Sequence, residues 1–200
     1  MKKLIFILIV FISFKSFSQE TEEYKTFIKE IKKDNRIDKK DMTVLYILND
    51  FYEQVLQSDN GELNENVPQK IQNLYADKTS KNLQILTMFL SYQDYVSQNS
   101  GPGRKVDSNF QINLINDLEK EFLETYGKIP AIVKIYKYEA LQSNGQESAA
   151  EELLKVSLSE FPNSIPLKVY KYLESKDEKI RLDLIRNHSN HWMVLQNGIK

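Results

Sequence analysis

The sequence predicts an all-α protein. Apolar residues recur at steps of three and four along nearly the whole chain, and no segment sustains a period-two alternation. Six glycines and five prolines in 200 residues are also too few for a turn-rich β-sandwich.

The first residues stand apart from the rest. Lys2 and Lys3 precede the unbroken apolar run Leu4 to Ile12, and Ser16-Phe17-Ser18 puts small residues where a signal peptidase inspects them. Residues 1–18 are therefore expected to be a cleaved signal peptide, with cleavage after Ser18. A membrane-spanning helix needs roughly 20 apolar residues. This run is far shorter and is interrupted by Ser13 and Lys15, so no stable membrane insertion is expected after cleavage. The expected location is periplasmic or secreted.

With no cysteine, neither a disulfide nor a lipid anchor on cysteine is available, and stability must come from packing. Loss of Lys2, Lys3 and Lys15 leaves 24 bases against 28 acids, a formal charge of −4. That balance is mild and mixed, with no basic block to neutralise phosphates, so nucleic acid is not an expected partner.

The elements follow in order. Tyr24, Phe27, Ile28 and Ile31 mark a charged helix over 20–33. Asp41 is placed to cap a second, in which Val44, Leu45, Leu48, Phe51, Tyr52, Val55 and Leu56 give the clearest amphipathic pattern in the chain. It stops in the turn cluster Ser58-Asp59-Asn60-Gly61. Pro68 fits the first turn of a helix over 67–75, and Ser80 is expected to cap the next, with Leu83, Leu86, Phe89, Leu90 and Val96.

Residues 98–107, with Ser100-Gly101-Pro102-Gly103, read as a loop between an N-terminal helical segment, 19–98, and a C-terminal one, 108–200. A single continuous domain over 19–200 is the other arrangement. Ser108 then opens a helix that ends near Gly127. Pro130 opens another to Ser143, and a helix over 146–161 stops at Pro162. Pro166 starts one to Ser175, and Asp177 starts the last.

One internal similarity stands out. Lys134-Ile135-Tyr136-Lys137-Tyr138 recurs as Lys168-Val169-Tyr170-Lys171-Tyr172, 34 residues on. Within 131–164, Gly145 falls in an inter-helix turn, Ala150 where close packing wants a small side chain, and Leu154, Ser157 and Pro162 at large, small and helix-stopping positions. This span resembles a tetratricopeptide helix-turn-helix unit. The first helix departs from the family pattern at Lys134 and Tyr138, and the second copy has Leu184 in place of Ala150. The resemblance implies stacked antiparallel helix pairs, an α-solenoid. An irregular helical bundle is the alternative.

The resemblance also implies a peptide-binding groove lined by first helices, with Ile132, Ile135, Glu139 and Gln142 at groove positions. A carboxylate among apolar residues suits a basic side chain or a peptide N-terminus, whereas Glu139 could instead sit at the rim or pair with a lysine. On the wheel of this helix Ile132, Val133, Ile135, Tyr136 and Ala140 form the apolar stripe, and Lys134 and Lys137 lie opposite, where solvation is expected. Tyr138 and Tyr172 fall off the stripes and are candidates for a stacked surface pair that binds a peptide or packs one repeat on the next.

Other chemistry is sparse. His188 and His191 are the sole histidines and lie three apart on the expected last helix, which makes them the weak candidates for a metal. Asp59 to Glu65 lacks the alternating spacing of a calcium loop. Gly101 to Lys105 lacks the strand-loop-helix setting of a phosphate loop. No Gly-x-Ser-x-Gly elbow occurs. The expectation is a non-catalytic module of the cell envelope without a cofactor, binding a protein or peptide partner. The alternatives are a metal-dependent binder or enzyme using the histidines, and a structural helical oligomer.

Overall fold

The computed structural model describes residues 20–33, 35–99 and 108–200. The expected signal peptide and the Gly101 to Lys105 loop lie outside them. Among the described residues the secondary structure is helical, with no strand. The chain divides after Asp34 into two units. The described part of the first is α1 (Glu20–Lys32), whose surface carries a Lys25–Glu22 ion pair at 2.7 Å.

The second unit begins with α2 (Thr43–Phe51), entered through Asp41, whose Oδ1 accepts from Thr43 N at 2.9 Å. The helix does not end as an α-helix. It widens into a π-turn, Tyr52–Leu56, closed by Gln57 N donating to the Tyr52 carbonyl at 2.9 Å. There follow α3 (Asn66–Ala76), α4 (Leu83–Asn99), α5 (Ser108–Tyr126), α6 (Ala131–Ser143) and α7 (Glu147–Glu160). The chain is completed by α8 (Ile165–Ser175), α9 (Glu178–His188) and α10 (Trp192–Gln196).

Two boundaries differ from expectation. Ser80 does not cap α4, and its hydroxyl is buried without a partner. Asn82 takes over there, in a left-handed conformation (φ 58°) that asparagine tolerates. Its side chain accepts from Asp38 N and donates to the carbonyls of Asp38 and Asp41 and to the Tyr126 hydroxyl, tying the segment before α2 to α4 and α5. The expected last helix is two, broken at Ser189 and Asn190. Asp177 caps α9 as its sequence position suggests, accepting from Lys179 N and Ile180 N.

From α4 to α9 each helix packs on its successor. α4, before residues 100–107, packs against α5, which follows them, within the one unit. The main core gathers Leu45, Leu48 and Phe51 of α2, Ile85, Leu86 and Phe89 of α4, Leu118 and Phe122 of α5, and Ile132 and Ile135 of α6. A second cluster joins Ile165 and Val169 of α8 to Leu184, Met193, Val194 and Ile199. The residues of the tetratricopeptide-like pattern take interior or turn positions. Ala150, Leu154 and Ser157 are fully buried, and Gly145 holds φ +68° between α6 and α7.

The chain then returns on itself. The His191 and Trp192 rings donate to the Leu56 and Val55 carbonyls, each at 2.9 Å. α2 also touches α6.

Candidate functional site

Three helices, α4, α6 and α8, share a row of tyrosines and polar side chains. On α4, Tyr92 is buried and donates its hydroxyl to the Tyr136 carbonyl of α6 at 2.9 Å, while accepting from Gln111 of α5 at 2.9 Å. Its ring stacks on Tyr136 with centroids 5.2 Å apart. Gln93 donates to the Tyr136 hydroxyl at 3.1 Å.

The row continues from α6 to α8. The Tyr138 and Tyr170 rings lie 4.7 Å apart, Tyr138 donates to Glu174 at 2.9 Å, and the Tyr170 hydroxyl donates to Glu139 Oε1. The contact is two residues out of register with the 34-residue repeat: Tyr138 meets Tyr170, the counterpart of Tyr136, and each of these phenols finds a carboxylate on the other helix.

Glu139 is the electrostatic anomaly of the row. It is half-buried, and among the described residues no lysine or arginine reaches ion-pair distance of it. Burial raises its pKa to about 6, against the opposing pull of the Tyr170 hydrogen bond. Burial also pushes the Tyr170 phenol well above its usual range, and the neighbouring Glu139 charge adds to the rise. Tyr92, Tyr136 and Tyr138 are raised chiefly by burial as well, so all four phenols are donors at any physiological pH. Among the described residues, the carboxylate thus sits against neutral rings and no cation.

The residues singled out in the sequence separate into groups. Glu139 and Tyr138 belong to the row, and Gln142 stands exposed one turn on, beside the Tyr138 phenol. Ile132 and Ile135 do not line a groove. Both are wholly buried because α6 is covered by α5, α7 and α2. Tyr138 is also buried, at 6 % exposure, and pairs with Tyr170 rather than Tyr172. Tyr172 packs against the C-terminal cluster with the Lys176 ammonium 5.3 Å above its ring.

Lys134 does not stand on an open face either. It is 9 % exposed, near Glu160 at 3.7 Å, and Lys137 is half-buried in an ion pair with Glu119.

The two histidines do not converge. His188 ends α9, whereas His191 is fully buried with both ring nitrogens engaged, Nε2 with the Leu56 carbonyl and Nδ1 accepting from Met193 N at 3.2 Å. No group of three or more metal-binding side chains occurs among the described residues. Sequence reasoning missed the π-turn, for which no local signal exists, and Tyr170 as the partner of Glu139. The second could have been read from the repeat offset, which aligns Tyr170 with Tyr136 one turn from Glu139.

No family model, no curated protein and no solved structure matches the chain.

Proposed function

We propose that this protein is an exported, non-catalytic interaction module that holds a cationic segment of a protein partner on the α4–α6–α8 face, at Glu139. The observation that carries the reading is a half-buried carboxylate bonded to a tyrosine hydroxyl and, among the described residues, paired with no cation. A lysine or arginine side chain, or a peptide N-terminus, would neutralise it while stacking on Tyr136 and Tyr170. The surrounding polar groups, Gln93, Gln142 and Glu174, suit the backbone and flanks of an extended peptide.

The helix-on-helix succession from α4 to α9, the turn at Gly145 and the buried small residues of α7 support a tetratricopeptide-like relationship. The contact of α10 with the π-turn departs from an open solenoid, so the binding face is assigned to the polar row rather than to Ile132 and Ile135. Export rests on the N-terminal sequence pattern. With both His191 nitrogens engaged, the histidine pair lends the metal-dependent alternative no support.

The test is affinity capture of the chain, tagged at its C-terminus and expressed in its native cell, with Glu139→Gln in parallel. Recovery of a partner near stoichiometry with the wild type, and its loss with the variant, supports the reading. Equal recovery with both excludes Glu139 as the contact.

A further inference from the structure

A second feature lies apart from the tyrosine row. A cleft of about 660 Å³ opens where α2 and the π-turn meet the α5–α6 connection and the end of α7. Its apolar wall includes Leu45, Leu123, Ile129 and Phe161, and Leu123 is half exposed. Its charges are sorted by depth. Lys134 is the least exposed of them at 9 %, whereas Glu53, Glu160 and Lys128 are exposed.

The Lys134 ammonium is under-satisfied. Its ion-pair partner, Glu160, is 3.7 Å away, beyond hydrogen-bond length, and no hydrogen bond reaches it among the described residues. An ammonium carries three donors, and this one, though its residue is only 9 % exposed, is not wholly enclosed, so a ligand in the cleft can reach it. The first turn of α6, opening at Pro130 and Ala131 on the same wall, adds the positive end of a 13-residue helix beside that charge. An apolar wall, a little-exposed cation and outer charges of both signs match one kind of ligand. Its anionic end points inward, its side chain is apolar, and the part left outside is not selected by a single sign of charge.

We propose that this cleft binds the carboxy-terminal end of a peptide, its carboxylate seated on Lys134 in place of Glu160 and its last side chain against Leu123 and Phe161. A free short peptide and the terminus of a longer polypeptide offer the same chemistry. This site is separate from Glu139, so the two readings stand or fall independently.

The experiment is a titration of the full chain, followed by amide NMR, with an equimolar pool of tripeptides ending in leucine. The same pool with amidated C-termini and the same pool N-acetylated are run in parallel. The free-acid pool should bind saturably, and the amidated pool about tenfold or more weaker, since a charge-assisted contact is lost. Weaker binding after N-acetylation identifies free peptides as the ligand, and unchanged binding identifies polypeptide termini.

Glu160→Gln removes the internal competitor and should tighten binding severalfold. Leu123→Glu, at a half-exposed position that the fold does not need, should weaken it at least tenfold. Lys134→Met should abolish it. Equal binding of acid and amide pools, no binding of either, or weaker binding with Glu160→Gln would each overturn the proposal.

Discussion

His191 reaches back 135 residues to the Leu56 carbonyl, with Nε2 2.9 Å from the oxygen. The bond falls at the C-terminal end of the π-turn, where widening the helix leaves carbonyls without the usual i+4 donor. Trp192 Nε1 serves the Val55 carbonyl in the same way, and Trp192 N donates to the Asp59 carbonyl at 3.0 Å. The C-terminal turn thus supplies donors that the π-turn lacks internally.

This arrangement is sensitive to acid. His191 can donate from Nε2 and accept at Nδ1 only as the neutral ring, and burial lowers its pKa below the ordinary value of 6.5. A folded pKa below the unfolded one gives a contribution present above about pH 6.5 and lost as pH falls toward the folded pKa. Asp59 and His188 face the ring with opposing, smaller influences. The protection factors of the Met193 to Ile199 amides, corrected for the slower intrinsic exchange in acid, should therefore fall between pH 7 and 5. His191→Phe should remove that dependence and cost about 1–3 kcal/mol at pH 7. A rate of opening that does not respond to pH would disprove the assignment.

Glu139 has the opposite sign. Its folded pKa, about 6, lies above the ordinary carboxyl value of 4.5, so its protonated form favours the fold below the unfolded pKa. That stabilisation is lost as pH rises through 6. At pH 7.5 the ionised group should cost on the order of 2 kcal/mol. Glu139→Gln keeps an acceptor for Tyr170 and should raise stability at pH 7.5 by up to that amount, with the gain vanishing near pH 4.5. Chemical denaturation at the two pH values measures it. A carboxylate retained at such a cost fits a binding role, whereas a variant less stable than wild type at pH 7.5 would make Glu139 a structural partner.

Helix positions were legible because each helix records its own buried face in its spacing. Val44, Leu48 and Phe51, or Leu118 and Phe122, needed no tertiary information. Lys134 shows what a wheel leaves out. It lies opposite the apolar stripe of α6, yet α6 is central, and its polar side is covered by α7 and the π-turn. The π-turn itself was illegible because Tyr52 to Leu56 keeps the spacing of a plain amphipathic helix. Its donors come from residues 191 and 192, and no local pattern encodes a partner that far along the chain. The Glu139–Tyr170 bond lies between these cases, since the repeat offset brings the residues near but does not fix the carboxylate's partner.

Asn82 supplies a test of the fold that is independent of either site. Its amide makes four side-chain contacts at a positive φ of 58°. Asn82→Gly retains the backbone freedom and loses the bonds, whereas Asn82→Ala loses both. The glycine variant should be destabilised by about 2 kcal/mol and the alanine variant by about 1 kcal/mol more, measured as shifts in the denaturation midpoint. Equal values for the two would mean that the left-handed conformation contributes nothing.

Gly61 and Gly145 separate backbone strain from steric contact. Both hold nearly the same positive φ, +67° and +68°, so alanine at either is strained by a similar amount, about 1 kcal/mol. A Cβ on Gly145 would meet nothing within 4 Å, whereas one on Gly61 would come within 2.9 Å of Trp192 Cδ1. Trp192 cannot withdraw freely, because its Nε1 is bonded to the Val55 carbonyl. Gly61→Ala should therefore cost about 1–3 kcal/mol beyond Gly145→Ala. It should also shift the emission of the chain's single tryptophan toward that of a solvent-exposed indole at pH 7. Gly145→Ala should leave that emission unchanged. If both variants lose the same stability with identical fluorescence, the close approach of Gly61 to Trp192 does not hold the C-terminal turn in place.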